Sequence, residues 1–213
     1  LVNKINFIDH FLITRRAFAA DKNYIEIVNF ALTKVGSEIN SNLLMSCSRL
    51  KEVKIPSSIT KIKKDAFNGC SSLTQIIIPS SVTFIGISAF NGCTSLKQII
   101  IPSSVTFIGA KAFAYCKSLT QITIPSSITS IQENTFDQCM SLKQILLSHG
   151  ITEINSYPYK FCSSLTEINI PSSVISIGKG AFTFCISLKQ ISIPQGMTEI
   201  STETFYNCSS LTE

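Results

Sequence analysis

The chain has 213 residues, a net charge of +5 and 45% hydrophobic residues, a composition that agrees with a soluble, well-packed body. Its small basic surplus is spread along the chain. Pairs such as Arg15-Arg16 and Lys63-Lys64 are too short for a nucleic-acid patch and no nucleic-acid motif accompanies them, so nucleic acid is excluded as a partner. No run of about 18 apolar residues exists, which excludes a membrane-spanning helix in this segment.

The first 46 residues hold no strict period. The stretch FIDHFLITRRAFAADK, residues 7–22, predicts an amphipathic helix laid over one end of the molecule. It admits a second reading, because ITRRAF at Ile13 to Phe18 has the form I-G-x-x-A-F of the later units and follows the alternating Ile5-Asn6-Phe7. Degenerate coils are the preferred reading. Ile27, Phe30, Leu32, Ile39, Leu44 and Cys47 fit the columns derived below, so residues 27–47 read as one such coil. Under both readings residues 1–46 are an N-terminal cap, which a stacked array needs because a bare terminal coil exposes apolar core.

From Cys47 the order is strict. The eight cysteines, Cys47, Cys70, Cys93, Cys116, Cys139, Cys162, Cys185 and Cys208, are separated by 23 residues every time. A fixed period in the range of about 20–50 residues is the signature of units that stack one on the next. Leucine stands three residues after every cysteine, from Leu50 to Leu211, followed in the first seven units by apolar residues at the third and fifth positions, as in Ile76 and Ile78. This L-x-x-I-x-I pattern is a strand with alternate side chains inward. Proline ends it at Pro56, Pro79, Pro102, Pro125, Pro171 and Pro194, and only Ser148 departs. A second apolar pair follows, from Ile59/Ile62 to Met197/Ile200, whose spacing suits a short bent strand or a single helical turn. A small residue and an aromatic close the unit, as Ala66-Phe67, Ala89-Phe90, Ala112-Phe113 and Ala181-Phe182, with Thr135-Phe136, Pro158-Tyr159 and Thr204-Phe205 as variants. Each unit buries roughly six apolar side chains and shares its core with its neighbours. Residues 47–213 then form a single continuous solenoid, a curved rod roughly 35–40 Å long.

C-x-S-L-T-Q-I-x-I-P-S-S-V-T-x-I-G-x-x-A-F closely resembles the BspA-like, or Treponema pallidum-type, class of leucine-rich repeats over about residues 44–213. The resemblance implies an α/β-type repeat solenoid, a right-handed coil with a parallel concave β-sheet and a convex side of short strands and turns. It also implies surface and adhesion-type roles, with a cell-surface or secreted location and an intracellular one still open.

Chemistry finds little purchase in these residues. One cysteine per coil at fixed phase is a core column of free thiols, not a metal site, which wants C-x-x-C or Cys/His clusters. His10 and His149 stand in no triad, so neither catalysis nor a cofactor is expected. Gly86, Gly109 and Gly178 read as turn residues tolerating unusual φ, in a column shared with Lys63, Gln132, Asn155 and Ser201. Asn207-Cys208-Ser209 matches a glycosylation sequon, taken as accidental beside a core cysteine.

The outward columns of the strands are the candidate binding surface. Gln75, Gln98, Gln121, Gln144 and Gln190, with Glu52 and Glu167, line up as a stacked ladder whose first reading is structural. The next outward column runs Lys54, Ile77, Ile100, Thr123, Leu146, Asn169 and Ser192, and Ile77 with Ile100 makes an apolar patch. Before the amides lysine and threonine alternate, at Lys51, Thr74, Lys97, Thr120, Lys143, Thr166, Lys189 and Thr212. The alternation points to growth by two-coil units and spaces the lysines at roughly 9.6 Å, near the screening length at physiological salt. The expected function is non-catalytic protein or glycoprotein binding on the concave surface, with a structural spacer in a longer protein as the alternative. Because Ser209 to Glu213 begins a strand that stops, and the chain starts at Leu1, a fragment of a longer protein with end-to-end self-association is also expected.

Overall fold

The computed structural model describes residues 24–41, 43–197 and 199–212. The proposed helix at 7–22, the alternating Ile5-Asn6-Phe7 and His10 lie outside the described residues. Tyr24–Leu32 is an α-helix, α1. This corrects the reading of residues 27–32 as the strand of a degenerate coil. Val28, Ala31 and Leu32 are buried at helical spacing, while Phe30, assigned to an inward column, is exposed. The helix covers the edge of the first concave strand, Glu52–Lys54, for the Asn29 Oδ1 accepts a hydrogen bond from the Lys54 N–H at 3.0 Å. The rest of that coil keeps the register, with Ile39, Leu44 and Cys47 buried.

The L-x-x-I-x-I segments form β2 (Glu52–Lys54), β4 (Gln75–Ile77), β6 (Gln98–Ile100), β8 (Gln121–Ile124), β10 (Gln144–Leu147), β12 (Glu167–Asn169) and β14 (Gln190–Ser192). They stack in parallel on the concave side, β2 to β10 as one sheet and β12 with β14 as another. The second apolar pair resolves into two-residue strands ending on the inward isoleucine: β1 (Glu38–Ile39), β3 (Lys61–Ile62), β5 (Phe84–Ile85), β7 (Phe107–Ile108), β9 (Ser130–Ile131), β11 (Glu153–Ile154) and β13 (Ser176–Ile177). On this convex side β1-β3-β5-β7 and β9-β11-β13 are separate sheets. The two sides break at different coils. The coil after β13 makes no such strand among the described residues, and Ile200, expected inward, is exposed there.

One continuous apolar cluster runs through the stack. Its spine is the aromatic column Phe67, Phe90, Phe113, Phe136, Tyr159, Phe182 and Phe205, whose neighbouring rings are near-parallel at 5.2–5.9 Å between centroids. Among the described residues the thiols form no disulfide. They have a role beyond filling space: Cys93 Sγ donates to the Phe67 carbonyl of the preceding coil at 3.3 Å, and Cys116, Cys139, Cys162, Cys185 and Cys208 repeat the bond. Serine adds a second rail, with Ser81, Ser104, Ser127 and Ser173 donating to the coil before at 2.6–2.7 Å.

Two columns per coil adopt positive φ. One is Asp65, Ser88, Lys111, Asn134, Tyr157, Gly180 and Glu203; the other is Ser46, Gly69, Gly92, Tyr115, Gln138, Phe161, Phe184 and Asn207. The left-handed conformation aims the N–H along the solenoid axis, as when Gly69 donates to Asn91 O at 2.7 Å and Phe184 to Tyr206 O at 2.8 Å. It costs a non-glycine residue about 1–2 kcal/mol.

Gly86, Gly109 and Gly178 do not belong to these columns, which corrects their reading as residues of unusual φ. Close approach selects them. A Cβ on Gly109 would stand 2.5 Å from Ile87 N and 2.7 Å from Gly86 C, both immovable backbone. At Gly92 the φ is +71° and the nearest atom to a Cβ is 3.7 Å away. Gly109→Ala should therefore destabilise by at least the upper end of the roughly 1–3 kcal/mol seen for overpacking. Gly92→Ala should lose only the left-handed cost of about 1–2 kcal/mol. Denaturant midpoints that fall equally for both variants would show that inter-coil contact does not select Gly109.

Candidate functional site

Alternation places every candidate residue where the sequence put it. Lys51, Gln75, Ile77, Lys97, Gln98, Ile100, Gln121, Thr123, Lys143, Gln144, Leu146, Lys189 and Gln190 are all exposed on the concave strands or just before them. Parallel register sets Gln75 beside Gln98 and Ile77 beside Ile100. The two isoleucines are 80% and 81% exposed, an unusual state for aliphatic side chains on neighbouring strands.

The glutamine ladder is not built as expected. Among the described residues the hydrogen bond between its side chains is Gln75 Nε2 to Glu52 Oε2, at 3.5 Å. In a parallel sheet the backbone already fixes the spacing, so the amides can turn to solvent and retain donors and acceptors for a ligand. The lysine–threonine alternation has a backbone partner as well as a charge rationale. Thr74, Thr120 and Thr212 donate through Oγ1 to Lys51, Lys97 and Lys189 carbonyls at 3.1–3.4 Å.

Between β10 and β12 the concave ladder parts, and a cleft of about 600 Å³ opens. Its mouth carries Gln144, Leu146, Glu167, Asn169, Gln190 and Ser192. The coil ahead of the gap is the one that has Ser148 in place of proline, with Ser148 Oγ donating to Ile124 O at 2.5 Å. His149 is exposed in that coil.

The turn side of the last coils holds a group that pattern reading passed over. Phe161 and Phe184 stack at 4.5 Å, and Tyr206 meets Phe184 edge-on at 5.6 Å. Lys160 Nζ lies 5.5 Å from the Tyr157 ring and 5.4 Å from the Phe161 ring. Tyr157 Oη donates to Glu203 Oε2, and Lys179 pairs with Glu203 Oε1, each at 3.2 Å. That hydrogen bond to Glu203, with one to Tyr157, holds the Lys179 ammonium above its ordinary pKa. Lys179 is thus engaged on both sides, by a carboxylate and a phenol. A signal existed in the sequence: Phe161 and Phe184 take the phase that Gly69 and Gly92 hold in earlier coils.

Among the described residues no helix is long and apolar enough to cross a membrane. Comparison with curated proteins finds no match. Among solved structures the fold matches a leucine rich repeat protein of T. pallidum with a TM-score of 0.71 at 32% identity, over 76% of this chain and 78% of that one. It matches a leucine rich cell surface protein of Faecalibacterium prausnitzii A2-165 with a TM-score of 0.53 at 31% identity, over 66% and 47%. A leucine-rich repeat protein of Bacteroides ovatus ATCC 8483 gives 0.60 at 27% identity, over 82% and 57%. The chain thus spans about half the length of the last two. The family model for the BspA type leucine rich repeat region matches residues 12–142 and 85–212, and the chain belongs to that family.

Proposed function

We propose that the chain is a non-catalytic binding module that engages a protein or glycoprotein through its concave strands. The observation that carries this is the Ile77/Ile100 pair: two aliphatic side chains, almost fully exposed and side by side on a sheet whose other outward residues are mostly polar. Desolvating them supplies binding energy, while Lys51, Lys97, Lys143 and Lys189 along one margin steer an acidic partner. Family membership supports an interaction or adhesion role. A cell-surface location fits the description of the F. prausnitzii relative.

The test is kinetic, on immobilised panels of acidic secreted glycoproteins. For any protein bound, Ile77→Ser with Ile100→Ser should speed dissociation by about tenfold or more without unfolding the array. Lys97→Glu with Lys143→Glu should slow association and flatten its salt dependence. Lys111→Glu on the convex side should do little. Kinetics untouched by the concave substitutions but abolished by substitutions at Phe84 and Phe107, whose rings stack at 5.0 Å on the convex side, would overturn the assignment of faces.

A further inference from the structure

The left-handed column before the cysteines carries a signal that packing does not explain. Five of its eight residues are Ser46, Gly69, Gly92, Gln138 and Asn207, small or polar, whereas Tyr115, Phe161 and Phe184 are aromatic. Aromatic side chains tolerate this conformation poorly, at about 1–2 kcal/mol each. The core does not require them. Its aromatic column in these coils is already filled by Tyr159 and Phe182, and Phe161 and Phe184 stand outside it, half-buried. The left-handed turn recurs in every coil, so what sets these coils apart is that the residues it holds outside the core are aromatic and gather together.

These turns border an aromatic-walled cleft of about 480 Å³, lined by Tyr157, Lys160, Thr183, Phe184, Glu203 and Tyr206. Tyr206 is 56% exposed and presents its ring beside the Phe161–Phe184 stack. Gly180 lets the Tyr157 ring lie against the next coil, since a Cβ there would come within 2.1 Å of Tyr157 Cε1. The floor is set as well: Thr183 is buried, and its Oγ1 donates to Glu203 O at 2.9 Å.

Charge selects the ligand. Of the residues that line the cleft Lys160 is cationic and Glu203 anionic, one against one, so no net field from its walls favours a phosphate. A quaternary ammonium would seek ring faces, but the Lys160 ammonium already lies over Tyr157 and Phe161 and repels it. A neutral ring with an apolar C–H face and hydroxyls on its rim meets every feature. Aromatic faces attract polarised C–H groups, and carboxylate, ammonium and phenol supply both acceptors and donors. The volume suits a small ligand. We propose that this cleft binds neutral pyranosides, the sugar ring stacked on Tyr206 beside Phe184 and its hydroxyls reaching Glu203, Lys160 and Tyr157. The site is separate from the concave face and stands or falls independently of it.

Saturation-transfer NMR on the full chain tests this with methyl mannoside, methyl galactoside and methyl N-acetylglucosaminide at millimolar concentration. At least one should receive transfer concentrated on the C–H groups of one ring face. Tyr206→Ala should weaken that binding by about tenfold or more, Tyr206→Trp should retain it, and Glu203→Gln should weaken it with the circular dichroism unchanged. Ile77→Ser with Ile100→Ser should leave it intact. Transfer to none of the three sugars, transfer indifferent to Tyr206→Ala, or Tyr206-dependent binding of tetramethylammonium or inorganic phosphate in their place would each overturn the proposal.

Discussion

Alkaline unfolding of this chain is expected to set in just above the ordinary thiol pKa of 9.0 and to be steep. Cys93, Cys116, Cys139, Cys162 and Cys185 are buried in one column, and desolvation raises all five pKa values, with each thiolate further opposed by a neighbouring thiol or carboxylate. Burial pushes Tyr159 in the same direction. The sign follows from proton counting. Below the unfolded pKa both states hold the thiol proton and the column is neutral to pH. Above it the unfolded chain releases protons that the folded chain retains, so stability falls as pH rises. Each such thiol loses stability progressively as the pH climbs past its ordinary value, and five doing so in one column weigh against the roughly 5–15 kcal/mol that holds an ordinary domain. Denaturant titrations at a series of pH values should show the loss. Replacing Cys116 and Cys139 with alanine should reduce the slope by about two protons, whatever it costs near neutrality. Stability that stays flat to one unit above the thiol pKa would mean that the column is not dry.

The thiols also show what could be read from the chain before its fold was known. A 23-residue period in cysteine, leucine, isoleucine, proline and phenylalanine specified the stack, the first strand of each coil and the inward columns, because each column repeats one physical requirement many times, and it left the second apolar pair open between a short strand and a helical turn. Where a requirement occurs once, the pattern was silent or misleading. Ile27, Phe30 and Leu32 match the strand columns in identity, yet capping the edge of β2 favours a helix there, with Val28, Ala31 and Leu32 on its buried side. Gly109 and Gly92 are the same residue chosen for different reasons, one by an opposing backbone and one by φ, and only coordinates separate them. The concave residues were legible because alternation decides exposure. The turn-side aromatics were not, for Tyr157, Phe161, Phe184 and Tyr206 come together from three coils by breaking the repeat instead of obeying it.

Phe113→Ala tests the spine most directly. Phe113 is fully buried at the middle of the stack, 5.5 Å from Phe90 and 5.7 Å from Phe136, with interplanar angles of 1° and 5°. Truncation removes a large aromatic from a site that the coils above and below cannot collapse to fill, because parallel strands hold their spacing near 4.8 Å. The expected loss is about 3–5 kcal/mol, toward the upper end because two ring contacts go at once. Coupling in a solenoid runs only between neighbours, so the loss should also divide the array into halves that unfold separately, visible as a shallower transition. Phe107→Ala gives the contrast: its ring is 37% exposed on the convex side and, among the described residues, stacks on Phe84 alone, so about 1 kcal/mol is expected. If Phe113→Ala cost under about 1 kcal/mol, below the range for buried aromatics, the aromatic column could not be the spine. Stability would then have to rest on the inter-coil hydrogen bonds of the Cys, Ser and left-handed columns.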